Sequence, residues 1–242
     1  MVPTYQEADN VGVLVRAIRT AAPAADVLVV DDASPDGTAE VADALGVELG
    51  QVSVLRRPVK DGLGNAYRQA FAQALADGYE VVVTLDADFS HDPAVIPQLL
   101  AEIESGADVA VGSRYVPGGA TPNWPRHRRL LSAYGNRYSG WVLGLSLRDA
   151  TSGFRAYRSD LLRAIDFGSS KANGYAFMTE LAARISDQHA AVAEVPITFT
   201  DRVRGTSKMS SAIIVESMAR ITWWGITHRV QGLRAHRRRG PS

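Results

Sequence analysis

Short β-branched runs alternate with helically spaced apolar positions through the first half of the chain. Val27-Leu28-Val29-Val30, Val81-Val82-Val83-Thr84-Leu85 and Val109-Ala110-Val111 are near-continuous apolar runs, the pattern of parallel strands buried on both faces. Between them Val11, Leu14, Val15 and Ile18, and later Ile96, Leu99, Leu100 and Ile103, keep helical spacing, while Ala66, Ala70 and Ala74 mark a small-residue helix face. The order βαβαβ predicts an α/β sheet flanked by helices. Further on, the pattern predicts a basic helical segment within Trp124 to Leu147, a turn over Asp149 to Phe154, a helix over Tyr175 to Ile185 and a strand over Val195 to Phe199. Ser210 to Arg239 reads as a basic amphipathic helix or a pair of short ones. With no linker and no repeat, one domain is expected over 1–209, followed by a helical extension over 210–242. Only Met1 and Val2 precede Pro3-Thr4-Tyr5, where such a sheet ordinarily opens with a strand. The first strand is therefore expected to be truncated, with the native start upstream and some stability lost.

Composition narrows the classes. The 242 residues, 46% of them apolar, are enough for a sizeable core, and 26 basic residues balance 26 acidic ones, so nothing global points to nucleic acid. The distribution is uneven: no acidic residue follows Glu216. Absence of cysteine excludes disulfides and thiolate metal sites and fits a reducing compartment. The apolar run Ile221 to Ile226 is too short to span a bilayer, and no signal peptide is evident.

Ligands of such sheets bind where strand carboxyl ends feed loops, and those positions are unusually polar. Val30 is followed by Asp31-Asp32, Leu85 by Asp86-Ala87-Asp88, and Val111 by Gly112-Ser113-Arg114. Asp-x-Asp after a buried strand suits a hard divalent cation, Mg²⁺ or Mn²⁺, that keeps open positions for phosphate oxygens; by itself it also suits a capped turn before Pro93. Asp31 or Asp32 could accept hydrogen bonds from a base or ribose, whereas Ser34 and Asp36 read as helix caps. Lys60-Asp61-Gly62-Leu63-Gly64 is a cation-bearing loop at a helix start. Arg114 and the run Arg126, Arg128 and Arg129 around His127 suit phosphate, or a solvated basic face. Asp201-Arg202-Val203-Arg204-Gly205-Thr206-Ser207-Lys208 has a loop's composition and could fold over a pyrophosphate.

In order, these segments resemble the dolichol-phosphate mannose synthases and their bacterial polyprenol-phosphate relatives, within the inverting glycosyltransferases of GT-A fold. The resemblance rests on Pro3-Thr4-Tyr5-Gln6-Glu7, Asp31-Asp32 with Asp36-Gly37-Thr38, Gly62-Leu63-Gly64 with Ala66-Tyr67, Asp86-Ala87-Asp88 with His91, Gly112-Ser113-Arg114-Tyr115, Thr151-Ser152-Gly153-Phe154, and Glu194-Val195-Pro196 leading to Gly205-x-Ser207-Lys208. It implies a GT-A, Rossmann-like, mostly parallel sheet. It implies further that Pro3, Tyr5, Glu7, Val30, Asp32, Asp86, Ala87 and Asp88 hold the nucleotide sugar, joined by Arg202 and Lys208. Asp86 and Asp88 would bind the metal, with Ser90 standing where some relatives carry a liganding glutamine. Arg114, Arg128 and Ser132 would hold an acceptor phosphate, and Asp86, Asp88 and Arg114 would form the catalytic set.

The implied reaction is inverting transfer of mannose from GDP-mannose to a polyprenyl phosphate. The rival readings are a sister enzyme using a UDP-hexose, or a non-catalytic nucleotide-sugar-binding or scaffold subunit. An anionic acceptor needs no strong general base, so Glu180 reads as an orienting or electrostatic group, or equally as a surface carboxylate of a core helix. A lipid acceptor implies work at a membrane surface, on the cytoplasmic face. Ile214, Met218 and Ile221, with Trp223, Trp224 and arginines from Arg220 to Arg239, could dock there, or a membrane-anchoring partner protein could recruit the chain.

Overall fold

The structure, a computed structural model, describes residues 1–170, 172, 174–201, 221, 222 and 224. Two sheets meet at the start of the chain. The first has the order β1 (Val2–Thr4), β2 (Val27–Asp31), β3 (Val52–Arg56), all parallel. The second runs β4 (Val81–Thr84), β6 (Arg155–Arg158), β5 (Val109–Ser113), β7 (Val192–Pro196). Met1 joins them: its carbonyl accepts from the Leu85 amide at 3.3 Å and its nitrogen donates to the Val83 carbonyl at 2.7 Å. The strands therefore follow one another as β3-β2-β1-β4-β6-β5-β7, and among them only β6 runs antiparallel to its neighbours. A Rossmann-like, mostly parallel sheet flanked by helices is thus the architecture, that of a GT-A fold.

Helices α1 (Ala8–Ala21), α2 (Thr38–Leu49), α3 (Leu63–Ala76) and α4 (Ile96–Glu104) follow the early strands. The helical spacing is realised in α1, whose Val11, Leu14, Val15 and Ile18 are buried, and in α4, which buries Ile96, Leu99 and Ile103. Ala66, Ala70 and Ala74 are buried on α3, where short side chains let the helix approach the strands closely. One core cluster joins α1, β2 and α4 to Phe154, and a second gathers Tyr67, Phe71, Tyr157 and Phe177 around α7 (Gly174–Asp187).

The sheet departs from its expected pattern in three places. β4 and β5 are not neighbours: β6 lies between them, pairing Val82 with Tyr157 on one side and Val109 with Tyr157 on the other. Its sequence, Arg-Ala-Tyr-Arg, shows no apolar run because Arg155 is itself buried. The last strand is Val192–Pro196, earlier than expected, since Val192 to Pro196 pair with β5 while Thr198 makes only an isolated bridge to Ala120. The edge strand β3 lacks fully buried positions and so lacks the signature of the central strands. The expected basic helix is α5, Arg126–Leu143, and the short α6 (Ser159–Ala164) follows β6 directly.

Gly46 tests how tightly α2 lies on β3. A Cβ there would sit 2.6 Å from the Val52 carbonyl oxygen, a backbone atom that cannot rotate away. Gly46→Ala is expected to destabilise the chain by about 1–3 kcal/mol, the usual cost of overpacking, despite alanine's better helix propensity. A urea midpoint equal to or above that of the parent would contradict this packing.

Candidate active site

The strand ends and their loops converge on one edge of the sheet. At the end of β4, Asp86-Ala87-Asp88-Phe89-Ser90 forms a tight turn with Phe89 in the left-handed region at φ 60°, uncommon for a residue with a bulky side chain. The Ser90 amide donates to Asp88 Oδ1 at 3.0 Å, which orients that buried carboxylate. Asp86 is more open. Its amide faces His91 Nδ1 at 3.4 Å, so this nitrogen accepts, and its Oδ2 lies 3.8 Å from the same nitrogen. Burial, the largest influence, holds the His91 pKa below its ordinary value despite Asp86 and Asp88 nearby. The ring stacks on Phe154 at 5.2 Å and meets the edge of Phe199 at 5.4 Å.

Space for the Asp86 carboxylate comes from Gly153, where a Cβ would lie 3.3 Å from Asp86 Oδ1 and 3.4 Å from the Tyr67 hydroxyl. The Gly153 carbonyl is fixed by the Thr84 hydroxyl at 2.6 Å. This cradle explains the Thr-Ser-Gly-Phe segment and fits a hard cation held by two carboxylates. Among the described residues no three His, Asp or Glu side chains form a metal cage. Asp86 and Asp88 would therefore leave coordination positions to phosphate oxygens and water, the arrangement such cations accept when bound with a substrate phosphate.

The side facing α5 is organised by Asp149, which sequence reasoning left as part of a turn. Arg114 Nε and Nη2 donate to the two Asp149 oxygens at 2.8 and 2.7 Å, the Arg114 amide donates to Oδ2 at 3.0 Å, and Nη2 also reaches the Thr151 hydroxyl at 2.7 Å. Burial alone would raise the Asp149 pKa, but Arg114 outweighs it and holds the carboxyl below its ordinary value. Glu194 of β7 accepts the amides of Arg148 and Asp149 at 3.0 and 3.2 Å. Arg155, fully buried, donates to the carbonyls of Ser152 at 2.8 Å and Ala150 at 2.7 Å. Asn136 of α5 accepts the Ala150 amide at 3.0 Å. Arg114 thus stands inside an ion pair with its guanidinium geometry fixed.

Of the other two expected acceptor residues, Ser132 accepts from the Tyr115 hydroxyl at 2.6 Å, and Arg128 pairs with Asp201 at 2.9 Å while lying 4.1 Å above the Trp124 ring. Phe199 packs against His91, Trp124 and Arg114, with its neighbour Thr200 donating to the Phe89 carbonyl at 3.2 Å. The stretch Phe199 to Asp201 therefore ties the aspartate turn to the start of α5. Arg202 and Lys208 lie outside the described residues, as do Ile214, Met218, Trp223 and the terminal arginines. Ile221 is buried, Trp224 packs on the α7 cluster, and Thr222 hydrogen-bonds the Tyr138 hydroxyl at 2.8 Å, which matches a helix packed on the core at those three positions.

The side of the edge formed by the ends of β1 and β2 is built on buried charge as well. Arg57, buried, donates to Asp32 and to Asp61, and its Nε reaches Gln69 at 3.3 Å. Burial nevertheless leaves the Asp32 carboxyl above its ordinary pKa, with Arg57 opposing. Lys60 Nζ sits 3.4 Å over the Tyr5 ring, a cation–π contact. Ser34, Asp36 and Thr38 brace the opposite loop by accepting the amides of Gln6, Ala8 and Glu7 at 3.0, 3.1 and 3.0 Å. Their capping therefore acts largely across to the start of α1. Glu7 accepts from Asn10 at 2.7 Å. The side chains of Val30 and Ala87 are buried in core clusters, so they can line a ligand only through backbone, and Pro3 is partly buried in β1. Glu180 accepts from Ser170 at 2.8 Å with one oxygen and from Arg184 at 2.7 Å with the other, which makes it an anchor for the α7 surface.

Known proteins are similar to the chain over most of its length. Residues 1–166 match the family model described as glycosyl transferase family 2. The chain is 46% identical over 235 residues to the undecaprenyl-phosphate mannosyltransferase of Micrococcus luteus, covering 97% of this chain and 96% of that protein. It is 44% identical to the polyprenol monophosphomannose synthase of Mycolicibacterium smegmatis, covering 97% and 89%, and 35% identical to the dolichol-phosphate mannosyltransferase of Pyrococcus furiosus, covering 95% of this chain and 65% of that protein. Among solved structures, glucosyl-3-phosphoglycerate synthase from Mycobacterium tuberculosis in complex with Mn²⁺, uridine-diphosphate-glucose and glycerol 3-phosphate superposes with TM-score 0.64 at 20% identity, covering 94% of this chain and 78% of that one.

Asp149→Asn would leave Arg114 buried beside a neutral amide, and breaking a buried pair in this way costs about 3–5 kcal/mol. Because the folded Asp149 pKa is depressed, its contribution is fully present above the ordinary carboxyl value of 3.8 and is lost as pH falls through the lower folded value. The variant is expected to be less stable at pH 7 and to show a shallower loss of stability on acidification. Urea midpoints measured from pH 7 to pH 3 check both; parallel curves would contradict the assignment.

Proposed function

Because the chain belongs to glycosyl transferase family 2 and is a glycosyltransferase of GT-A fold, we propose that it transfers mannose from GDP-mannose to a polyprenyl phosphate, with inversion. The two bacterial relatives of 44–46% identity, matched over nearly their whole length, support glycosyl transfer to a polyprenyl phosphate. The observation that carries the reading is the joining of a two-carboxylate turn to a cationic helix start: Thr200 bonds Phe89 beside Asp88, and one residue on Asp201 bonds Arg128.

In this reading Tyr5, Glu7 and Asp32 receive the nucleoside, with Pro3 and the backbone at Val30 and Ala87 beside it. The Asp32 carboxylate, oriented by Arg57, accepts hydrogen bonds from the base. Asp86 and Asp88 hold Mg²⁺ or Mn²⁺, with Ser90 fixing Asp88 through its amide; the cation supplies positive charge that offsets the charge developing on the departing diphosphate. Arg202 and Lys208, in the segment that begins directly after Asp201, engage the same diphosphate. Arg128 and Ser132 bind the acceptor phosphate, whose oxygen attacks the anomeric carbon from the face opposite the leaving group. Arg114, held by Asp149, contributes fixed positive potential with no reorganisation during the reaction. Glu180, with both oxygens engaged, is not asked to be a base, and an already anionic acceptor does not need one.

The test is incubation with polyprenyl phosphate, Mg²⁺ or Mn²⁺, and separately labelled guanosine and uridine sugar donors. Labelled lipid should form chiefly from GDP-mannose and should disappear with EDTA; a larger yield from a uridine donor would replace the donor assignment. Asp88→Asn is expected to reduce transfer by at least about a hundredfold, the scale of losing a major electrostatic contribution to the transition state, while leaving the urea midpoint nearly unchanged. Gly153→Ala, which crowds the Asp86 carboxylate, should cut kcat by about tenfold, a fraction of the roughly hundredfold loss that a 1 Å misplacement can cause. Full activity in Asp88→Asn would contradict the metal site.

A further inference from the structure

Helix α3 delivers one polar group to the aspartate turn. Tyr67 is 0% exposed and lies on the buried face of α3 with Ala70 and Phe71. Its ring meets Phe71 edge-on with centroids 5.7 Å apart and Phe177 in a tilted contact, also at 5.7 Å, so the ring is held on two sides. Among the described residues, its hydroxyl is one of two buried side-chain polar atoms without a hydrogen-bond partner, the other being the Tyr157 hydroxyl. Thr84 lies close to Tyr67 but out of hydrogen-bond geometry, and its own hydroxyl donates to the Gly153 carbonyl at 2.6 Å. Buried tyrosine hydroxyls ordinarily find a partner, and phenylalanine would fill the same space without leaving a polar atom unpaired.

Gly153 shows what that hydroxyl faces. The position that a Cβ of Gly153 would take lies 3.4 Å from the Tyr67 hydroxyl, 3.3 Å from Asp86 Oδ1 and 3.6 Å from Asp86 Oδ2. Hydroxyl and carboxylate thus border the same space, kept open because residue 153 has no side chain. Of the two, the carboxylate is the one able to turn, since the Asp86 side chain is 39% exposed. His91 does not serve as its donor: Nδ1 lies 3.8 Å from Asp86 Oδ2 and already accepts from the Asp86 amide. Burial, and after it the Asp86 charge, holds the proton on Tyr67 well above the ordinary tyrosine pKa of 10.0, so the hydroxyl remains a donor at neutral pH.

We propose that Tyr67 is a positioning residue for the cation site: when Asp86 holds a divalent cation through one oxygen, its other oxygen turns into the space at Gly153 and accepts from the Tyr67 hydroxyl. The assignment rests on the reading of Asp86 and Asp88 as the pair that holds Mg²⁺ or Mn²⁺. Hydrogen bonds to a ligating carboxylate orient it and tune its affinity for the metal. Asp88 already has such a bond, from the Ser90 amide at 3.0 Å. Tyr67 supplies the counterpart for Asp86, so that one aspartate is held from within its own turn and the other from α3.

The full-length chain and Tyr67→Phe are titrated with Mn²⁺, alone and with GDP or UDP, free Mn²⁺ being followed by its EPR signal. Both are also unfolded in urea without metal. Tyr67→Phe should bind Mn²⁺ about tenfold more weakly, the lower end of what losing a group that orients a metal ligand causes. Its metal-free urea midpoint should equal or exceed the parent's, since the deleted hydroxyl has no partner there. The Mn²⁺ concentration that half-saturates transfer should rise by the same factor, with the rate recovering at saturating Mn²⁺. Equal Mn²⁺ affinity in parent and variant overturns the proposal and leaves the two-aspartate site standing. A lower metal-free urea midpoint with unchanged Mn²⁺ affinity also overturns it, and assigns the hydroxyl to a structural bond with Thr84. A parent that binds no Mn²⁺ defeats the metal reading and this assignment together.

Discussion

A carboxylate and a guanidinium, Asp149 and Arg114, hold the functional edge of this molecule together. Neither could be buried alone, since an unpaired charge taken from water costs several kcal/mol or shifts its protonation state. Their mutual pairing is made specific by what surrounds it: the Arg114 amide, two amides held by Glu194, the Thr151 hydroxyl, and Arg155 bonded to the carbonyls of the same loop. One pair therefore connects the end of β5, the middle of β7 through Glu194, the 149–154 loop and, through Asn136, helix α5. The loop so fixed provides the empty space at Gly153 in which the Asp86 carboxylate sits. The aspartate turn and the cationic helix keep their relative position because both rest on this network.

The loops after β1 and β2 repeat the device with different parts. Arg57 bridges Asp32 and Asp61, and side chains of the 34–38 loop receive the amides at the start of α1. In both halves a buried arginine serves as a geometric fixture: its planar fork reaches two or three acceptors at once and holds separate loops at a set distance. Carboxylates that would otherwise repel one another can then stand together along one edge of the sheet.

Much of this was legible in the sequence, and the reasons for the remainder are physical. β2 and β5 announced themselves because nearly all their residues are buried, and β4 because its run is apolar throughout although only alternate residues are fully buried. α1 and α4 did so because one stripe of each is buried. Asp86 and Asp88 stood out because a doubled charge directly after an apolar run has few bland explanations. β6 was hidden because a buried arginine replaces the apolar residue that pattern reading looks for. Asp149 was hidden because an aspartate before Ala-Thr-Ser-Gly has the composition of any turn, and its partner lies 35 residues away. β7 was expected too late in the chain because Ile197 and Phe199 carry the apolar pattern past its end, Ile197 packing in the core cluster and Phe199 against His91. The roles of Ser34, Asp36 and Thr38 needed coordinates, since they cap across space as well as along the chain.

The two-sidedness of α5, with Asn136 and Ser139 buried on one side and Leu130, Tyr134 and Trp141 exposed on the other, limits how this chain can vary in length. Insertion or deletion of one residue within the helix turns everything beyond it by roughly 100°. Made between Leu130 and Asn136, that change would withdraw Asn136 from the 149–154 loop and carry Trp141 out of line with the exposed Leu130 in a single step. Two requirements that look independent, a polar inner row and an apolar outer one, are thus inherited as one unit. A substitution in α5 need disturb only one of the two rows, whereas a change of length by one residue disturbs both.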